Sequence, residues 1–495
     1  MDRTGRQRSD LGFLRKRRKP TDIRVLEVSL YLQPVSLRAP LRFGTETVTE
    51  VTFARVAVLV ENRRGRRGMG WGESPLNVSW AWPSSVAYDR RARILEHFSV
   101  AIGRAWCAGG ARDGGGEESD YWGHPLELGN RFITRGLPDA FRQFNAGQAS
   151  AENVPWLAAL ICAAPFDIAV HDAFGIVNEV PTYATYGADY MNFDLSEFFG
   201  KGDRPASDFV GNYPDRYLAA RPARRLDVWH LVGAEDPIHS HDLGGEIPDD
   251  GYPVTLPDWI RHDRVRYVKI KLCGMDWDWD YRRCVEAGAV ALSGGVRGLS
   301  TDFNCTVREG GYVTELLDRL VREYPNVYER LLYVEQPFPV DTGAHDAAAV
   351  RAVASRKPIV MDESAYDWRV AERARSFGWS GVALKTCKTQ SGALLSLAWA
   401  RAHEMGLVVQ DLSNAMLAQI PHVLLGAYAD TGLGIESNGI QYYPDVSMPE
   451  AQAHPGLYRR VNGRVDLSSL RGPGFGYRMG ALDRRLPAPA FTSTR

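Results

Sequence analysis

Short apolar runs, most of them closed by a charged or polar residue, organise the second half of the chain. The first is Tyr267-Val268-Lys269-Ile270-Lys271-Leu272. Its apolar, β-branched positions predict a buried strand. Alternate side chains of a strand share a face, so Lys269 and Lys271 are expected to project together. Residues 298–301 then lead to Asp302 and Asn304, and 332–334 to Glu335, Gln336 and Pro337. Residues 358–361 lead to Asp362, Glu363 and Ser364, 381–384 to Lys385, 407–410 to Asp411, and 432–435 to Glu436. From Lys271 onward the steps between tips are 31, 33, 27, 23, 26 and 25 residues. Each step fits one strand, one helix and two loops, the repeat of a TIM barrel. Such barrels gather the carboxyl ends of their strands at one mouth. Lys271, Asp302, Glu335, Asp362 and Lys385 are therefore expected to converge.

The first half has a different rhythm. Residues 23–31 alternate as a strand, 48–62 form a second, and 70–75 close a meander after turn signals at Gly65 and Gly68. Residues 85–180 read as mainly helical. The glycine-rich stretch 109–118 interrupts them as a loop, without the preceding strand or spacing of a phosphate loop. The apolar helix 156–177 carries Asp167, His171 and Asp172, expected as a buried hydrogen-bonded set. The polar stretch 189–224 has no assignable element. Residues 226–233 are the expected first barrel strand, and 234–258 a solvated loop at the active-site end.

Composition narrows the function. A chain of 495 residues implies two domains. A formal net charge of −1 gives no bulk electrostatic case for nucleic acid or membrane binding. The basic stretch within residues 1–22 is expected to be a disordered tail. Six scattered cysteines without a C-x-x-C pair fit reduced thiols and a cytoplasmic protein. No run is long enough to span a bilayer, and no signal-peptide pattern is seen.

Three carboxylates on successive strand tips repel one another unless a cation sits between them. Oxygen-only ligands suit Mg²⁺ first and Mn²⁺ second, and the absence of Cys and His from these tips argues against zinc. Paired ammonium groups and desolvation lower each other's pKa, which turns a lysine into a base. A substrate carboxylate on the metal would have an acidified α-carbon. A lysine would remove its proton, and the metal would stabilise the enediolate.

Over roughly residues 23–445 the chain resembles the enolase superfamily, in its mandelate racemase and muconate lactonizing enzyme group. Val268-Lys269-Ile270-Lys271 resembles its K-x-K strand, Thr301-Asp302-Phe303-Asn304 its D-x-N, and Val334-Glu335-Gln336-Pro337 its E-Q-P. Met361-Asp362-Glu363-Ser364 resembles its D-E-S, and Ala383-Leu384-Lys385 the sixth-strand lysine of the muconate lactonizing subgroup. The resemblance implies an α/β fold, a modified (β/α)7β TIM barrel with an α+β capping domain. After the tail, the expected domains are a cap with insertions at 23–222, the barrel at 223–444, and a segment 445–495 that returns to the cap.

The resemblance also implies roles. Asp302, Glu335 and Asp362 would be metal ligands, Lys271 the base on one face, Lys385 the acid or base on the other, and Lys269 a tuner of Lys271. Cap loops at Phe43 and at 74–83 would hang over the mouth. Trp80 and Trp82 in the second loop would face either the substrate or the cap itself. The Asp–His dyad of mandelate racemase-like members is absent, and so is the eighth-strand D-x-D of dipeptide epimerases. Asp411 is expected to orient Lys385, and Lys388 to be structural. Glu436 is expected to contact a substrate carboxylate or cation, or to form an orienting salt bridge. The function expected is a Mg²⁺-dependent racemase, epimerase or cycloisomerase acting on a small carboxylate, in a homo-oligomer. The alternatives are a lyase and a non-catalytic barrel that acts as a binding protein.

Overall fold

The computed structural model describes residues 19–43, 46–108, 122–200, 206–243, 248–344 and 346–494. The basic stretch up to residue 18 and the glycine-rich stretch lie outside the described residues.

The cap is an antiparallel sheet backed by helices. Strand β1 (Ile23–Phe43) pairs with β2 (Glu46–Asn62) from Ile23↔Asn62 to Phe43↔Glu46. It is longer than its sequence pattern indicates. Register shifts at Val25/Glu27 and Ser36/Leu41 break the alternation that would have revealed its second half. Strand β3 (Arg67–Pro75) pairs with β2. The helix Trp156–Val177 lies directly on this face. A Cβ at Gly72 would stand 2.1 Å from the Pro165 carbonyl, so only glycine permits the approach. That helix is long and apolar enough to cross a membrane, yet 94% of its most apolar window is buried within the fold.

Eight parallel strands form the barrel. They are β4 (Arg225–Val232), β5 (Tyr267–Lys271), β6 (Gly298–Asp302), β7 (Leu331–Glu335), β8 (Ile359–Met361), β9 (Gly381–Leu384), β10 (Gly406–Val409) and β11 (Ile435–Glu436). Each pairs with the next, and Ile435↔Val228 and Glu436↔Trp229 close the ring between β11 and β4. Helices occupy the seven connections, so the barrel is (β/α)7β. Trp229, Tyr333, Val360, Ala383 and Val408 pack together as a separate buried cluster of strand residues. A short strand β12 (Arg464–Asp466) runs antiparallel beside β4, and β13 (Phe491–Thr494) pairs with β1 in the cap sheet.

Buried polar groups tie cap to barrel. Glu73 on β3 accepts from Arg55 Nε at 3.0 Å and from the backbone N–H of Leu417 at 2.7 Å, beyond β10. Arg55 also meets Glu450 at 3.2 Å, and Glu450 pairs with Arg484 at 2.6 Å. Asp167 accepts from Ser391 N and Oγ, both at 2.8 Å. His171 meets Ser391 Oγ and Tyr186 OH, each at 2.9 Å, so these helix residues form a satisfied structural set. Asp172 accepts from Trp71 N and Phe475 N at 2.9 and 2.8 Å.

Two stability measurements follow. Glu73→Ala leaves the Arg55 guanidinium short of its partner in a dry site and should cost about 3–5 kcal/mol in denaturant unfolding. Burial pushes Asp172 up to about 7. The folded protein then holds a proton that the unfolded chain releases near pH 4. Stability should fall as pH rises from about 4 to about 7, by something on the order of 4 kcal/mol from this group. Asp172→Asn should flatten that slope by up to one proton; an unchanged slope would place the titration elsewhere.

Candidate active site

Strand parity and strand ends deliver the predicted residues to one place. Lys269 and Lys271 alternate on β5, Asp302 ends β6, and Glu335 ends β7. Asp362 follows β8, Lys385 follows β9, Asp411 lies two residues past β10, and Glu436 ends β11. All of these side chains are buried, Asp302 and Glu335 completely. In an eight-strand ring β5 and β9 stand opposite one another. Lys271 and Lys385 therefore approach the centre from opposite walls. A cavity of about 20 Å³ lies between them, room for a single water, lined by Trp80, Leu231, Lys269, Asp411 and Glu436 among others. Larger cavities, of about 540 and 570 Å³, open toward the amino-terminal end of the barrel and are lined by none of these residues.

Lysines and carboxylates interleave. Lys269 Nζ lies 2.6 Å from Glu335, 2.9 Å from Glu436 and 3.2 Å from Asp302. Lys271 Nζ donates to Asp302 and, at 2.7 Å, to Asn304 Oδ1. Asn304 Nδ2 in turn donates to Glu363 at 2.8 Å. Lys385 Nζ meets Asp362 at 2.8 Å, and Lys388 meets the other Asp362 oxygen at 3.1 Å. The Trp80 ring of the cap covers both, 4.8 Å from Lys385 Nζ and 5.6 Å from Lys388 Nζ. Asn77 caps the short helix that carries Trp80 and so fixes its entry.

The electrostatics differ from the sequence expectation for the K-x-K pair. Burial disfavours the Lys269 ammonium, but Glu335, Glu436 and Asp302 outweigh burial and push its pKa up. The mutual lowering expected of neighbouring lysines is overridden for Lys269 by the acids packed among them. Asp362 likewise outweighs burial at Lys385 and pushes it up. Burial would raise Asp302, but Lys271 and Lys269 hold it down at about 2. Burial, reinforced by Asp302, pushes Glu335 up, and burial also pushes Glu363 and Glu436 up.

The structure locates several of these side chains and their partners. Asp411 does not reach Lys385 by a hydrogen bond. Its oxygens accept from Asn438 N at 2.8 Å, Asn438 Nδ2 at 3.1 Å and Asn414 N at 3.0 Å, pinning the loops after β10 and β11 together. Glu436 pairs with Lys269. Trp82 packs in the cap core and is not in the cavity lining, whereas Trp80 belongs to both. Phe43 ends β1, and its side chain lies outside the described residues. Sequence reasoning missed Gln410, which donates to Glu335 at 2.5 Å, and Glu363 behind Asn304. Gln410 stands one residue past β10, as Asp362 and Lys385 stand one past β8 and β9, and that shared position is the signal that would have found it.

Among the described residues, no three His, Cys, Asp or Glu side chains form a ready-made cation cage, because ammonium groups stand between the carboxylates. The donor set nevertheless fits a hard divalent ion. Asp302, Glu335, Asp362, Glu363, Asp411 and Glu436 face Lys269, Lys271, Lys385 and Lys388 in buried surroundings, a formal excess of two negative charges. One oxygen, Glu363 Oε2, is buried without a hydrogen-bond partner. Backbone strain gathers here too. Asn304, Cys305, Gln336, Thr389, Ser413 and Met416 all have positive φ in loops that leave barrel strands at this end.

Residues 256–481 match the family described as Enolase C-terminal domain-like. No curated protein matches by sequence. Solved structures match over nearly the whole chain. N-succinyl Arg/Lys racemase from Bacillus cereus aligns with a TM-score of 0.59 at 14% identity, over 95% of this chain and 99% of that one. A dipeptide epimerase from Enterococcus faecalis, complexed with Mg and the dipeptide L-Leu-L-Tyr, aligns at 0.56 and 13%, over 92% and 99%. Muconate lactonizing enzyme from Pseudomonas fluorescens, complexed with muconolactone, aligns at 0.53 and 14%, over 92% and 96%. At these identities the likeness is one of fold.

Lys388 gives this site a structural test. It donates to the Asp362 carboxylate and to the carbonyls of Asp362 and Ala365. Lys388→Met should cost about 1–3 kcal/mol in chemical denaturation. No loss would mean that Lys385 alone fixes Asp362.

Proposed function

From the match of residues 256–481 to the family described as Enolase C-terminal domain-like, we propose that the protein is an enzyme that moves a proton at the carbon α to a substrate carboxylate. Its class is racemase, epimerase or cycloisomerase. The observation that supports this reading best is the pair Lys271 and Lys385 on opposite walls of one buried cavity, with acids on the strand tips between them. Asp302, Glu335 and Asp362 would hold a divalent cation, Mg²⁺ by the chemistry of their oxygens. Bound there, it would polarise the substrate carboxylate and stabilise the charge that develops when the α-proton leaves.

The rest of the work falls to the chain's own side chains. Lys271 Nζ is aimed by Asn304 Oδ1, itself held by Glu363, and takes the proton on one face. Lys385 is held as an ammonium by Asp362 and supplies a proton on the other. Trp80 closes the Lys385 side against water. The same pair serves β-elimination if the substrate carries a leaving group. Among the described residues the cysteines form no disulfide, which fits the reducing, cytoplasmic setting proposed here.

The test is α-proton exchange in D₂O with Mg²⁺, over acid sugars, N-acyl amino acids, dipeptides and muconate-type lactones. Wild type should incorporate deuterium at the α-carbon of at least one acid. Lys271→Ala and Lys385→Ala should each cut exchange at one face by about 10²-fold or more. Inverted product identifies a racemase or epimerase, and loss of a leaving group a lyase. No exchange with any acid, in protein shown to bind Mg²⁺, would favour a binding protein.

A further inference from the structure

Lys269 stands where the acids are densest. Its ammonium has three N–H donors and faces three carboxylate oxygens, on Glu335, Glu436 and Asp302, at 2.6, 2.9 and 3.2 Å. The side chain is buried, 3% exposed. Two of its three partners, Asp302 and Glu335, are residues the proposed function gives to the metal. The third, Glu436, comes from β11, on the far side of β5 from β6 and β7. A divalent cation that takes oxygens of Asp302 and Glu335 therefore meets a fixed positive charge that already shares them. It has one carboxylate to leave behind with that charge.

We propose that Lys269 is a tethered cation that competes with the divalent metal for Asp302 and Glu335, and that Glu436 sets the outcome by holding Lys269 when the metal takes the other two. The inference rests on the metal assignment made above. It adds that metal affinity is governed by a lysine–glutamate pair that contributes no ligand. Two like charges at contact distance in a buried site interact strongly, because little water screens them. Removing Lys269 should tighten metal binding even though it removes a group from the active site. Removing the Glu436 charge should weaken binding, and mainly because Lys269 then leans harder on the two ligands.

The experiment is a double-mutant cycle read by Mn²⁺ binding, using calorimetry and the electron paramagnetic resonance signal of free Mn²⁺, with thermal unfolding alongside. Lys269→Met should bind Mn²⁺ at least tenfold more tightly than wild type. It should melt lower without Mn²⁺ and gain more on its addition, since Glu335 loses its counter-charge and regains one. Glu436→Gln should bind at least tenfold more weakly. In Lys269→Met/Glu436→Gln the weakening due to Glu436→Gln should largely vanish, a non-additivity that marks competition through Lys269. If Lys269→Met does not fold, Lys269→Gln replaces it in the cycle. Equal or weaker Mn²⁺ binding by the Lys269 variant, or additive effects of the two substitutions, overturns the inference and leaves the metal assignment standing. Absence of Mn²⁺ binding in wild type and in every folded variant overturns both.

Discussion

Six carboxylates and four ammonium groups share one nearly dry space at the carboxyl end of the barrel, and the need to balance them governs the architecture around them. An unpaired charge in such a place is strongly destabilising. Every lysine here is matched to at least one acid: Lys269 to three, Lys271 to Asp302, and Lys385 and Lys388 to the two oxygens of Asp362. Balance of this kind needs strand tips fixed to a fraction of an ångström, which a closed ring of parallel strands provides and an open loop does not. The positive-φ residues that follow these tips show where the backbone bears the strain of holding them.

The cap completes this arrangement. Glu73 brings β3 to the loop beyond β10 by accepting from Leu417 and Ala418, and Arg55 extends the link to Glu450 in the C-terminal segment. A shift of the cap sheet would disturb this buried network as well as the seat of Trp80. Trp80 lines the cavity of about 20 Å³ together with the lysines.

Much of this was legible in the sequence, because a barrel repeat leaves a local trace. An apolar run that ends in one charged residue marks both the strand and the side that its tip faces. Lys271, Asp302, Glu335, Asp362, Lys385 and Glu436 stand at such ends and Lys269 two residues before one, whereas the modified form of the barrel and its cap were implied by the family resemblance. What stayed hidden depends on pairing between distant strands. Nothing local distinguishes an Asp411 that bonds Asn438 from one that bonds Lys385, since the choice is set by how β11 lies against β10. The direction of the Lys269 shift was misjudged for the same reason. The neighbouring lysine is visible at i+2, whereas Glu335 and Glu436 arrive from 66 and 167 residues away. The second half of β1 was lost because its register shifts erase the alternation.

The two faces of the cavity are built differently, and this bears on how such a site varies. Lys271 meets Asp302 and Asn304 from one barrel strand tip, with Glu363 behind them from the next-but-one. Lys385 takes its carboxylate from the barrel and its aromatic cover from the cap. Substitutions in the cap therefore reach the Lys385 face directly. The cap thus contributes directly to the surroundings of Lys385, through the Trp80 ring, as well as to the buried network around Glu73.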